Sequence, residues 1–252
     1  MSALAGRVAI VTGASRGLGR AIAQALAEAG ADVALAARSK PDLEETARLV
    51  TAQGRRALVV PTDVADYRAV EALVERTVGE FGRLDILVNN SGIARVAPLV
   101  EWTPGEWERL LAVNVGGVLN ACRAAAPHLI AQRAGKVINI ASVLGAVGLP
   151  GYTVYSATKG AVIALTRTLA VEWARHNIQV NAIAPGWFAT PMTEPAFGGG
   201  APEVAARLLR DVPARRVGRP EEIGPLAVYL ASPASGFMTG QTIFLDGGHS
   251  AA

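Results

Sequence analysis

The chain has 252 residues, of which 51% are apolar, and its formal net charge at pH 7 is only +3. This composition supports a large buried core and excludes a disordered chain. Basic residues never occur in runs longer than two, so a nucleic-acid-binding surface is not indicated. The single cysteine, Cys122, excludes an internal disulfide framework and fits a reducing cytoplasm.

Signals for membrane targeting are weak in this sequence. Residues 1–7 lack the apolar core of a signal peptide, and a glycine-rich turn follows them closely. The longest weakly polar stretch, residues 137–151, is shorter than the ~20 apolar residues that span a bilayer. We therefore expect a cytoplasmic protein that binds neither a membrane nor a nucleic acid.

Short β-branched runs alternate with helical patterns along nearly the whole chain. The runs are apolar on both faces, which is typical of strands covered on both sides of a sheet. They predict strands at residues 8–12, 33–37, 57–61, 86–89, 136–140, 179–182 and 242–245. The helical patterns cover residues 17–29, 42–53, 66–81, 104–129, 152–175 and 220–230. This alternation predicts an α/β fold with a doubly wound parallel sheet, the Rossmann fold.

Neither a linker nor an internal repeat interrupts the alternation, so we predict a single domain over residues 1–252. Residues 187–213 differ from the rest because they are rich in Pro and Gly, including three consecutive glycines at 198–200. A long irregular insertion in a compact domain is often a binding loop or a lid. We predict that this segment is a substrate lid.

A glycine-rich turn joins the first strand to the first helix. Gly13 follows the strand at residues 8–12, and Gly17 and Gly19 lie at the start of the helical pattern 17–29. Glycine lets a backbone turn tightly and approach a ligand closely, and a helix N-terminus offers free N–H groups to a pyrophosphate. In this position the turn predicts a dinucleotide site. The alternative is a tight turn without a ligand. A kinase-like phosphate loop is disfavoured because no Lys-Ser/Thr pair follows the turn.

The order of motifs resembles the short-chain dehydrogenase/reductase family over essentially the whole chain. The turn from Thr12 to Gly19 resembles that family's cofactor motif, and residues 89–92 resemble its Asn-Asn-Ala-Gly, with Ser91 in place of Ala. Further matches, in chain order, are Asn114, Ser142, Tyr155, Lys159, Pro185, Gly186, Thr190 and the segment 245–248. The resemblance implies a nicotinamide-dependent enzyme acting on a carbonyl/alcohol pair, with Asn114, Ser142, Tyr155 and Lys159 as its catalytic residues.

The end of the second predicted strand indicates which nicotinamide cofactor is used. An acidic residue there holds the ribose 2′-OH of NAD, whereas Arg accommodates the 2′-phosphate of NADP. This sequence carries Arg38 at that position and Arg16 inside the glycine turn. Two guanidinium groups suit a phosphate, so NADP(H) is favoured over NAD; two solvated surface charges are the alternative.

The predicted cofactor-binding residues combine the turn, the arginines and the family resemblance. The resemblance adds an adenine contact at Asp63 and Val64, although a turn or cap role for Asp63 is also plausible. The full set is Gly13, Ser15, Arg16, Gly17, Leu18, Gly19, Arg38, Asp63, Val64, Asn90, Tyr155, Lys159, Pro185, Gly186 and Thr190.

Tyr155 and Lys159 are four residues apart in a helical pattern, so they share one helix face. An ammonium group near a phenol favours the phenolate, and we therefore expect Lys159 to lower the pKa of Tyr155 for general acid–base catalysis. Ser142 follows a predicted strand, where its hydroxyl can hydrogen-bond the substrate oxygen. The resemblance further implies that Lys159 holds the nicotinamide ribose and that Asn114 holds a proton-relaying water. Tyr152 is a weaker candidate because no lysine lies four residues after it.

A metal site is not predicted, since the histidines are scattered without ligand spacing. The reaction we predict is reversible NADPH-dependent reduction of a ketone or aldehyde. The sequence resembles both gluconate-type sugar-acid dehydrogenases and 3-oxoacyl-carrier-protein reductases. A non-catalytic NADP-binding sensor on the same fold is a third alternative, and intact Tyr155 and Lys159 disfavour it.

Two long apolar helical patterns, 104–129 and 152–175, suggest that one sheet does not cover all of their apolar surface. The family resemblance implies a homotetramer, and closed symmetry of that kind is common.

Overall fold

A computed structural model describes residues 2–198 and 202–251 of the chain. Its centre is a seven-stranded parallel sheet in the order β3-β2-β1-β4-β5-β6-β7, so the predicted Rossmann fold is confirmed. The strands are β1 (Val8–Thr12), β2 (Asp32–Ala37), β3 (Ala57–Pro61), β4 (Ile86–Asn89), β5 (Gly135–Ile140), β6 (Ile178–Pro185) and β7 (Thr242–Leu245).

Helices cover both faces of the sheet, which explains why the strands are apolar on both sides. They are α1 (Gly17–Glu28), α2 (Lys40–Ala52), α3 (Tyr67–Phe81), α4 (Pro104–Leu111), α5 (Gly117–Gln132), α6 (Thr153–Trp173), α7 (Glu194–Phe197), α8 (Pro202–Arg210) and α9 (Gly224–Ala231).

Alternate residues of each strand enter different cores. Ile10 packs with side chains of α3, α5 and α6 on one face of the sheet. Its neighbours Ala9 and Val11 pack with side chains of α1, α2 and α9 on the other face. Every residue of β1 is buried, because alternate side chains point to opposite faces and helices cover both faces.

Two predicted helices differ from the structure in detail. The pattern at 104–129 is divided into α4 and α5 by a π-helical turn, Ala112–Gly116. The pattern at 220–230 begins with a 3₁₀ turn, Pro220–Ile223, before α9. Both patterns remain apolar on the face toward the sheet, so hydrophobic periodicity predicts the helices but not the local hydrogen-bond register.

The segment 187–213 is more helical than the predicted irregular insertion. It contains the short helix α7 and the amphipathic helix α8. The predicted glycine run lies partly outside the described residues, since 199–201 are not described. Leu208 of α8 is buried in a third apolar cluster that includes Trp102, Tyr155 and Trp187. The segment is therefore packed on the domain through apolar contacts.

The helical run Pro104–Gln132 is long and apolar enough, by composition alone, to cross a membrane. In this fold its residues lie against the sheet: Val118, Ala121 and Ala125 are buried in the same core as Leu87 and Val137. It is a core helix of the α/β domain.

Candidate active site

A cleft of about 670 Å³ lies where the carboxyl ends of the parallel strands meet. Such a crevice is where open α/β sheets bind their ligands. All the predicted site residues line this cleft except Gly19 and Asn114. The structure thus brings the predicted cofactor and catalytic residues together in one site.

The glycine turn has the close packing that its sequence predicts. Gly13 and Gly17 have φ values of +64° and +57°, a region that favours glycine. A Cβ atom on Gly19 would lie 2.2 Å from the carbonyl oxygen of Gly13 and 2.4 Å from Nδ2 of Asn90. Gly19 therefore lies behind the turn and packs helix α1 against it, instead of facing the cleft.

Asn90 bonds the inner half of the turn, Thr12 and Gly13, to the end of β4. Its Nδ2 donates to the carbonyl oxygens of Thr12 and Gly13, at 3.0 and 3.1 Å. In return, the Thr12 hydroxyl oxygen accepts the backbone N–H groups of Asn90 and Ser91. These bonds hold two neighbouring strand ends together on the floor of the cleft.

Arg16 and Arg38 are both exposed and both line the cleft. Arg16 precedes the first residue of α1, and Arg38 follows β2 directly. Among the described residues, neither guanidinium forms an ion pair with a carboxylate. Their charges are consequently available to an anionic group. Asp63, at the same end, accepts the backbone N–H of Ala65 and so also caps a turn.

The loop after β6 closes the opposite wall. Gly186 allows close packing, because a Cβ there would lie 2.7 Å from Cα of Asp246 in the segment after β7. Thr190 approaches the glycine turn, since a Cβ on Gly17 would lie 3.5 Å from its side chain. The two C-terminal motifs thus pack against each other, and Thr190 brings the first of them to the glycine turn.

Ser142, Tyr155 and Lys159 form the polar centre of the cleft. Ser142 follows β5 and its hydroxyl lies near Tyr155, which is in the first turn of α6, while Lys159 is in the second turn. Lys159 Nζ donates to the carbonyl oxygen of Ile140 at 2.8 Å and lies 5.7 Å from the centroid of the Tyr155 ring. One helical face thus directs both groups toward the end of β5.

Burial shifts the proton affinities of this pair in opposite directions. It raises the pKa of Tyr155 to about 12, although the nearby Ser142 hydroxyl acts the other way. It lowers the pKa of Lys159 to about 8. The expected lowering of the Tyr155 pKa by Lys159 is therefore not found in this structure, where desolvation of the phenol dominates.

Asn114 lies in the π-helical turn and is buried away from the cleft. Its Oδ1 accepts the N–H of Ile93, and its Nδ2 donates to the Ile93 carbonyl and to Oγ1 of Thr158. These bonds fix the side chain in place, and its expected role in holding a water stays a prediction. The structure shows Asn114 joining the loop after β4 to helix α6.

Two arginines in the wall of the cleft were not singled out from the sequence. Arg95 and Arg109 both line it, and Arg95 is paired with Glu106. Tyr152 lies edge-on to Tyr155 and to Trp187, with ring centroids 6.2 and 6.1 Å apart. The Asn-rich motif before Arg95 was the available signal for this wall, since it places the following loop at the strand ends.

A resident metal site is not apparent from the described part of the chain, which holds no cluster of three or more potential His, Cys, Asp or Glu ligands. Cys122 is buried beside Asn89, and burial raises the pKa of its thiol to about 12.

Comparisons with known proteins agree with this site. A family model described as enoyl-(acyl carrier protein) reductase matches residues 13–250. A short-chain type dehydrogenase/reductase from Mycobacterium marinum is 38% identical, with a TM-score of 0.94 over 99% of this chain and 97% of that one. The chain belongs to the short-chain dehydrogenase/reductase family. It is an oxidoreductase.

Its relatives within the family act on different substrates. The gluconate 5-dehydrogenase of Gluconobacter oxydans is 42% identical over 97% of this chain and 95% of that protein. The 3-oxoacyl-[acyl-carrier-protein] reductase of Thermotoga maritima is 41% identical over 97% and 98%. A gluconate 5-dehydrogenase from Burkholderia cenocepacia, solved in complex with NADP and tartrate, has a TM-score of 0.94 and 40% identity over 99% of this chain and 97% of that chain.

Proposed function

We propose that this enzyme uses NADPH to reduce the ketone of a carboxylate-bearing, sugar-acid-type substrate, in a reversible reaction. The observation that carries the proposal is the junction of two features in one cleft: the glycine turn with its free arginines, and the Ser142, Tyr155 and Lys159 centre. The proposal is supported by a similar protein, a gluconate 5-dehydrogenase that was solved in complex with NADP and tartrate.

The residues of the cleft fit a phosphorylated dinucleotide. Gly13 and Gly17 line the cleft with backbone atoms alone, and the N-terminus of α1 begins there. Arg16 and Arg38 supply two guanidinium groups for a 2′-phosphate. The bound nicotinamide would supply the hydride. Pro185, Gly186 and Thr190 would border its ring, as the family resemblance implies.

Tyr155 is the residue we propose as proton donor to the carbonyl oxygen. A pKa of about 12 keeps its phenol protonated at neutral pH, as a donor in the reducing direction must be. Ser142, whose hydroxyl lies near the phenol, would hold the same substrate oxygen. The Lys159 ammonium would favour negative charge developing at that oxygen and at the phenol.

Arg95 and Arg109 support an anionic substrate. Both line the cleft, and the Arg95 guanidinium, which pairs with Glu106, also stacks on the ring of Trp102. Guanidinium groups bind carboxylates through paired, charge-assisted hydrogen bonds. An acyl thioester carried on a protein is the second candidate, supported by the 41% identity to the Thermotoga maritima reductase. Its acyl chain carries no carboxylate to engage these arginines.

We also propose that residues 187–213 form a lid over the substrate end, within a single catalytic domain, and that the protein is cytoplasmic. The lid is supported by the packing of Leu208 and Val212 in one apolar cluster with Tyr155 and Trp187. A cytoplasmic location is supported by a buried free thiol at Cys122.

The substrate proposal is tested by kcat/KM for three ketones with NADPH: the 5-keto form of gluconate, its neutral methyl ester and an acetoacetyl thioester. We expect the free acid to exceed the ester by about tenfold or more, as one charge-assisted contact allows. Arg95→Gln should remove most of that difference while leaving the ester rate nearly unchanged.

The matched control is Arg123→Gln. Arg123 is stacked on Tyr67 outside the cleft, so this change also removes an arginine that packs on an aromatic ring. It should leave the preference for the acid intact. A wild-type enzyme that favours the thioester would replace the sugar-acid proposal with the carrier-protein one.

A further inference from the structure

The outer half of the glycine turn, residues 14–16, is bonded to helix α2 by a buried threonine. Thr46 is fully buried, and its hydroxyl donates to the carbonyl oxygen of Ala14 at 2.9 Å. The hydroxyl oxygen of Thr46 also accepts a hydrogen bond from Nε of Arg20 at 3.1 Å. Arg20 in turn donates through Nη2 to the carbonyl oxygen of Ser15 at 2.6 Å. Two consecutive carbonyl groups of the turn are thereby fixed to α2 and α1.

These bonds join the two walls that carry the free arginines. Arg16 follows the fixed carbonyl groups directly, and it belongs to the turn. Arg38 and Ser39 belong to the connection from β2 to α2, the helix that carries Thr46. Ala14 also donates its N–H to the carbonyl oxygen of Ala36 in β2. The brace formed by Thr46 and Arg20 thus sets the distance between the two guanidinium-bearing segments.

The inner half of the turn has a separate attachment. Asn90 holds the carbonyl groups of Thr12 and Gly13 from the opposite side, without any contact with the brace. A pyrophosphate at the start of α1 depends on this inner half and on the helix N-terminus. A 2′-phosphate between Arg16 and Arg38 depends on the outer half.

We propose that Thr46, acting with Arg20, is a positioning residue that sets the preference for NADPH over NADH by holding Arg16 in register with Arg38. The proposal rests on the proposed use of NADPH and explains how the fold maintains the preference for NADPH over NADH. Neither Thr46 nor Arg20 lines the cleft, so both act through the residues that do. Loss of the brace should weaken binding of the 2′-phosphate and leave pyrophosphate binding largely unchanged.

The test is the dissociation constant of NADPH and of NADH, measured separately by quenching of tryptophan fluorescence without a carbonyl substrate. Thr46→Val keeps the shape of the side chain and removes the hydroxyl. We expect it to weaken NADPH binding by about tenfold and NADH binding by no more than about twofold. Thr46→Ser should restore the wild-type ratio, since it restores the hydroxyl.

Thr77→Val is the matched control, because Thr77 is another fully buried threonine whose hydroxyl bonds a backbone carbonyl, that of Leu73 in α3. It should leave the ratio of the two constants unchanged. Arg20→Met is a second test that does not alter a buried helix position, and it should shift the ratio in the same direction as Thr46→Val.

Equal weakening of both cofactors, or no weakening, in Thr46→Val and Arg20→Met would overturn the positioning role while leaving the proposed function intact. A wild-type protein that binds NADH as tightly as NADPH would overturn the cofactor preference and the inference together.

Discussion

Tyr155 and Lys159 show how burial tunes a reactive pair without any carboxylate nearby. Each loses hydration, and desolvation disfavours the charged form of both. The phenol therefore holds its proton more tightly, and the ammonium holds its proton less tightly. A proton donor that is neutral at pH 7 and a lysine that titrates near pH 8 are thus adjacent on one helix face.

The lysine shift predicts a pH dependence of stability. Its pKa is about 8 in the folded protein and near 10.5 when unfolded, so between these values the unfolded state binds more protons. Stability should therefore rise with pH across this window. Lys159→Met should remove ~2 kcal/mol of the rise between pH 7.5 and pH 9.5.

Urea unfolding of both proteins at the two pH values measures the difference. Burial also lowers the pKa of Lys136 to about 8, but this group is present in both proteins and cancels in the comparison. Equal pH dependence in wild type and Lys159→Met would contradict the burial of the lysine charge.

At the level of single residues, the sequence predicted which residues lie in the site better than it predicted the burial and pKa of their side chains. Ser142, Tyr155 and Lys159 could be found because strand-end and helix-face rules place them. The pKa of Tyr155 was predicted in the wrong direction, because desolvation of the phenol depends on residues packed around it from distant parts of the chain, such as Trp187 and Leu208. Arg95 was missed because the motif at residues 89–92 places the following loop at the strand ends without indicating which of its residues face the cleft.

The glycine turn and helix α1 are interdependent elements. Gly19 has ordinary helical geometry, so propensity alone predicts that alanine there would stabilise the helix by ~1 kcal/mol. The structure predicts the reverse, because the added Cβ would overlap Gly13 and Asn90. Gly19→Ala should lower the melting temperature and weaken NADPH binding at least about tenfold.

Gly79→Ala is the control for that change. Gly79 lies within α3, and a Cβ there would meet no atom within 4 Å. Thermal melting should show a gain of ~0.5–1 kcal/mol for this variant. A Gly19→Ala protein that matches it in stability and cofactor affinity would show that the close packing is not required.

Element boundaries were predictable wherever a cap or an apolar pattern defines them. The Thr103 and Glu106 capping box begins α4 at the predicted residue. The π-helical turn was not predictable, because it depends on the bonds of Asn114 to Ile93 and Thr158, which are distant in sequence. Helix α8 was missed because its apolar face packs on residues from three other parts of the chain.

At the scale of the whole molecule, the strand order and the position of the cleft at the strand ends follow from alternation and from the handedness of parallel connections. The assembly stays a prediction. Leu111, Leu119 and Val171 are exposed on the long helices, and Phe237 is fully exposed near β7. Light scattering should give four times the 26.0 kDa chain mass at micromolar concentration. A particle of one chain mass would contradict the tetramer.

The central claim is that NADPH-dependent carbonyl reduction proceeds by proton transfer from Tyr155. Single-turnover oxidation of bound NADPH, followed by absorbance, tests it in wild type, Tyr155→Phe and the control Tyr152→Phe. General acid–base catalysis contributes 10²–10⁴-fold, so Tyr155→Phe should lose roughly that factor while its NADPH dissociation constant stays unchanged. Tyr152→Phe should retain most of the rate. Near wild-type turnover in Tyr155→Phe would contradict the account.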